Sequence, residues 1–99
     1  MGLGISTVME GLFARITMQG SAPIILSMTG APRPATVTAY PVSGDTVLVE
    51  QSCDDGNTFN PTPLLNATTL TNTILTSGVT HLRVTRTAGT GVTSYMTVC

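Results

Sequence analysis

The sequence predicts an all-β fold, a single antiparallel β-sandwich, Ig-like or jelly-roll-like, of about seven short strands behind an N-terminal arm. Three observations predict it. Apolar residues recur with period two almost everywhere, and no long stretch has the 3.6-residue period of a helix. Turn residues fall between the alternating runs at the 8–12-residue spacing of sandwiches and barrels. Threonine, present nineteen times, is β-branched and suits the solvent face of a pleated sheet.

The elements follow in order. Residues 1–11 carry Gly2, Gly4 and Gly11 among apolar Leu3, Ile5, Val8 and Met9, and read as an arm or as a first short element, either a first strand or one helical turn at the capping-box spacing of Thr7-Val8-Met9-Glu10. Residues 12–99 read as the sandwich. Leu12, Ala14, Ile16 and Met18 alternate with Phe13, Arg15, Thr17 and Gln19. Ile24, Leu26 and Met28 alternate with Ile25, Ser27 and Thr29, and Val37 and Ala39 with Thr36, Thr38 and Tyr40. Val47, Val49 and Cys53 share a face, which makes Cys53 a small buried hydrophobe. Leu70, Asn72 and Ile74 form a weaker segment. Leu82 and Val84 oppose His81, Arg83 and Thr85, and Val92, Ser94, Met96 and Val98 form the last run. Val37, Val47, Val49, Leu82, Val84, Met96 and Val98 are the expected core. Between these runs lie Gly20-Ser21, Gly30-Ala31-Pro32, Ser43-Gly44-Asp45, Asp54-Asp55-Gly56-Asn57, Ser77-Gly78 and Gly89-Thr90-Gly91. Pro32-Arg33-Pro34 belongs to a loop or edge, because proline cannot donate to a central ladder. Asn60-Pro61-Thr62-Pro63 opens an irregular stretch reaching about Asn66.

With 99 residues the chain is one domain's worth. Its charged fraction is 9%, against about 25% for an average protein, while 41% of residues are hydrophobic. That balance excludes disorder driven by charge. There is no lysine, and a net charge of −1 does not suit a binder of nucleic-acid phosphates. No apolar run approaches the roughly 20 residues of a membrane-spanning helix, and Glu10 stands where a signal peptide would be apolar. A neutral, hydroxyl-rich surface buries against a partner with no charge to desolvate, so the composition leans toward a subunit of an assembly.

Chemistry-bearing residues are few. His81 is the only histidine and reads as a surface imidazole, without the nucleophile and orienting group of a catalytic base. Cys53 and Cys99 are too few for structural zinc; a disulfide between them is the alternative to two reduced thiols, which the lack of a signal peptide favours. Asp54-Asp55-Gly56-Asn57 lacks the ligand spacing of a calcium loop and reads as a hairpin connector. No catalytic set, metal or cofactor is expected, and the chain reads as a non-enzyme.

Two stretches carry a resemblance. Val47-Leu48-Val49-Glu50-Gln51-Ser52-Cys53-Asp54-Asp55-Gly56-Asn57-Thr58-Phe59 is similar to a V-x-V-E-x-S-x-D-G-G-x-T-W hairpin found in small β-rich virion proteins of tailed bacteriophages. His81-Leu82-Arg83-Val84-Thr85-Arg86-Thr87-Ala88-Gly89-Thr90-Gly91 resembles the L-R-V-T-R-T-A-G-T-G hairpin that closes them. Together they cover about a quarter of the chain. Asp55 replaces a glycine and Phe59 a tryptophan of that pattern.

The resemblance implies a capsid decoration (cement) protein, made in the host cytoplasm and held on the capsid exterior. Its partners would be the major capsid protein and further copies of itself, with a trimer favoured. The residues expected to meet a partner are Leu3, Ile5, Val8 and Met9 of the arm, and Arg33 and Asn60 in the proline-bounded loops. The alternative is a tail-associated, fibre or head–tail connector module, including a domain that binds a host-surface carbohydrate. The aromatics Phe13, Tyr40, Phe59 and Tyr95 read as scattered one per strand or turn, which weighs against sugar stacking.

Overall fold

A computed structural model describes residues 12–42, 44–87 and 94–99. Among the described residues are eight strands and no helix: β1 (Ala14–Met18), β2 (Ile24–Ser27), β3 (Ala35–Tyr40), β4 (Thr46–Ser52), β5 (Leu65–Ala67), β6 (Thr71–Leu75), β7 (His81–Thr87) and β8 (Ser94–Val98). They form two antiparallel sheets, β1-β8-β3-β6 and β2-β7-β4-β5, called here the first and second sheets. The pairing is nested, β4 with β5, β3 with β6, β2 with β7 and β1 with β8. The β3–β8 and β4–β7 ladders then close each sheet. This is a long hairpin rolled over on itself, the two Greek keys of an eight-stranded jelly roll. The Ig-like order, which sets strands ABED against CFG, does not describe it.

Period-two alternation decides what lies inside. All seven expected core residues are fully buried, joined by Met18, Met28, Leu75 and Val79. Burial of each such side chain stabilises by about 1.5–3 kcal/mol. β5 is the strand that alternation misses; three residues are too few to show a period, and it sits where the irregular stretch was expected to end. On β6 the inward positions are Thr71, Thr73 and Leu75, which leaves Leu70 and Ile74 exposed. Cys53 is a correction: β4 ends at Ser52, the chain turns, and Cys53 is exposed rather than packed with the valines. Cys53 and Cys99 are both free thiols. The arm, the helical turn over Thr7-Val8-Met9-Glu10 and the start of the last run at Val92 fall outside the described residues.

The nested order assigns the described connections to one of two ends. The β2–β3, β4–β5 and β6–β7 connections share one end with Phe13, whose N–H donates to Val98 O, and with Cys99, which exchanges backbone hydrogen bonds with Thr36. The β1–β2, β3–β4 and β5–β6 connections lie at the other, where β7 ends and β8 begins.

Candidate functional site

The first end gathers both loops expected to meet a partner. Arg33, in the β2–β3 connection, donates to the carbonyls of Thr76 at 2.7 Å, Val79 at 2.7 Å and Met28 at 3.2 Å. Its guanidinium fork therefore ties the β2–β3 connection to the β6–β7 connection and is spent mainly on backbone. Thr80 extends the tie: its N–H donates to Ser52 O, its carbonyl accepts from Met28 N–H, and its hydroxyl accepts from Asp55 N–H. Three connections are thus cross-linked into one unit. Between them opens a groove of about 360 Å³ lined by Gly30, Arg33, Asp55, Ser77 and Val79 among others. Asn60 lies on a second groove of about 410 Å³ beside Phe59 and Pro61, with its side-chain oxygen accepting from Thr62 N–H. Of the residues expected to meet a partner, Arg33 and Asn60 come to the same end; Leu3, Ile5, Val8 and Met9 lie outside the described residues.

The Asp54-Asp55-Gly56-Asn57 segment is a tight turn within the β4–β5 connection. Asp55 and Gly56 have φ of 62° and 84°, and Asn57 N–H donates to Asp54 O, which marks a type I′ turn. Asp54 accepts from Thr58 through both its hydroxyl and its N–H, and from the buried Ser52 hydroxyl. These bonds, the Thr58 hydroxyl first, hold its carboxyl down at about 2. A lowered folded-state value adds stability above the ordinary value near 3.8 and loses it as pH falls toward 2. The melting temperature of the wild type is therefore expected to drop between pH 4 and pH 2 by more than that of Asp54→Ala, measured side by side. The turn also covers His81: a side chain on Gly56 would lie 3.6 Å from the imidazole, which is half-buried rather than on the open surface.

The two stretches that carry the resemblance are joined to each other. They pair with each other as β4 and β7, from Thr46 opposite Thr87 to Ser52 opposite His81. Phe59, in the tryptophan position of the pattern, has the Arg83 guanidinium 4.4 Å from its ring centre, and Arg83 pairs with Glu50 at 2.9 Å. The connection thus folds over the outer face of the second sheet.

Sequence reading missed the opposite end. Asp45, expected in a turn, is buried and pairs with the equally buried Arg86. Arg86 also donates to the carbonyls of Met18 and Gln19, and Ser94 Oγ donates to Asp45 at 2.7 Å while accepting from Val42 N–H. A signal was present: Arg86 follows Val84 by two and Asp45 precedes Val47 by two, so both sit at inward parity.

The outer face of the first sheet carries a third cluster. Tyr40 and Tyr95 are opposite each other on β3 and β8, and their rings stack with centres 4.5 Å apart. The Arg15 guanidinium lies 4.5 Å from the Tyr95 ring centre. These tyrosines are not scattered, because the β3–β8 ladder joins strands distant in sequence. Among the described residues no three of His, Cys, Asp and Glu stand together as metal ligands would. No family model, curated protein or solved structure matches this chain.

Proposed function

We infer that the chain is a structural subunit of a tailed-phage virion that binds the outer surface of an assembled capsid and reinforces it. The observation that carries this reading is the cross-linked end. The Arg33 and Asn60 loops stand there on a rigid frame, beside Leu12, where the described chain begins. Loops held in place by backbone hydrogen bonds lose little entropy on docking. The jelly-roll order, an architecture that capsid domains use, and the sparse surface charge support the same reading. A subunit that binds the lattice and not its dissociated parts stabilises the lattice by mass action at every site.

Deletion of residues 1–11 is expected to abolish binding to purified capsids while circular dichroism and melting temperature of the domain stay close to wild type. Particles lacking the protein are expected to burst at lower temperature and under osmotic shock. Purified capsids that carry no copies, or that are equally stable without it, would overturn the reading. The Tyr40–Tyr95–Arg15 cluster favours a second reading, a tail or fibre module facing the host surface. Copy number separates the two: hundreds per particle for decoration, a ring or two for a tail part.

A further inference from the structure

The four strands of the first sheet hold one charged residue, Arg15, and no carboxylate. On their outer face Arg15, Tyr95 and Tyr40 form a stack, with exposed Ile74 on β6 and exposed Leu70 just before it. Arginine and tyrosine are enriched at interface centres, where acidic residues are depleted. The other charges of the described residues are spent. Arg86 pairs with Asp45, Arg83 pairs with Glu50, and Arg33 is held by carbonyls. Asp54 and Asp55 are left without an ion pair among the described residues. Both are exposed on the turn of the β4–β5 connection at the first end, where Asp55 lines a groove with Arg33, away from the outer face of the first sheet.

We propose that the outer face of the first sheet docks on the Asp54–Asp55 turn of a second copy of this chain, in a head-to-tail contact. Among the described residues, the cation of this face and the carboxylates of the turn have no ion-pair partner and lie on different surfaces, so one copy presents what the next lacks. A twofold contact of face on face would bring two Arg15 side chains together with no carboxylate to meet them. A head-to-tail contact repeats, and gives a closed ring where its rotation closes. The inference goes beyond the proposed function, and it is tested on purified chain without capsids, so either can fail alone.

The test is sedimentation velocity of the full chain over a wide range of concentration. Wild type is expected to form an oligomer that salt weakens. Arg15→Glu and Asp55→Lys, each alone, are expected to weaken self-association by about a hundredfold, since like charges then face each other. Mixing the two variants is the decisive arm: the intact turn of the first meets the intact face of the second, and the two reversed charges also attract, so mixed oligomers form from two monomers. If Asp55→Lys loses its fold by circular dichroism, Asp55→Asn takes its place in the same mixture, because asparagine tolerates the positive φ. A monomeric wild type overturns the proposal, as does a variant that assembles like wild type, or a mixture that stays monomeric.

Discussion

Arg86→Leu is expected to remove about 3–5 kcal/mol of folding stability, because it leaves the Asp45 carboxylate buried without its cation. The loss has a second part: the Met18 and Gln19 carbonyls lose the guanidinium donor that joins the β1–β2 connection to β7. Against a net stability of about 5–15 kcal/mol for a domain of this kind, the variant is at the edge of folding. Urea titration followed by circular dichroism reads the effect as a lowered midpoint. Pairing the change with Asp45→Leu is expected to restore much of the loss, since two apolar side chains replace a pair whose desolvation cost was large. A single variant within about 0.5 kcal/mol of wild type, the range of ordinary surface substitutions, would show that the pair does not hold this end.

Val49→Asp is expected to unfold the domain outright, and Val84→Asp to do the same. The two valines are opposite each other on β4 and β7, and neither is exposed to solvent. An aspartate at either position buries a charge with no partner, at a cost of several kcal/mol, of the order of the whole net stability. Unlike Arg86→Leu, this loss has no neighbouring charge to adjust, so a second substitution nearby does not rescue it. Val49→Thr is the control, close in shape with one buried hydroxyl, and its cost is about 1–3 kcal/mol. Loss of the β-sheet far-UV signal in the aspartate variants, with its retention in the threonine variant, is the expected pattern.

The core was legible because each valine and leucine in it sits in a run long enough to show alternation. Where runs stop, the reading stops with them. Cys53 continues the valine period on paper, but the chain has already left β4. Arg86 and Asp45 have inward parity, yet charge argues for the surface until the two are seen to pair across β4 and β7. Strand order could not be read either. Ig-like and jelly-roll sandwiches share the same alternation and turn chemistry, and differ only in which distant strands pair. The Tyr40–Tyr95 stack depends on such a pairing, as does the gathering of the Arg33 and Asn60 loops at one end. The arm residues Leu3, Ile5, Val8 and Met9 lie outside the described residues.

The nested pairing also sets the order in which the molecule can be made. β4 and β5 are neighbours in the chain and can meet early, but β1 has no ladder until β8 has been synthesised. During translation the second sheet can close once β7 emerges, while β1 and the β8-facing edge of β3 wait with unpaired backbone. Such late, long-range closure makes folding slow and leaves edges open to association in the interval. A nascent chain halted before Ser94 is thus half a sandwich with its first sheet ajar, a substrate for chaperones rather than a stable intermediate.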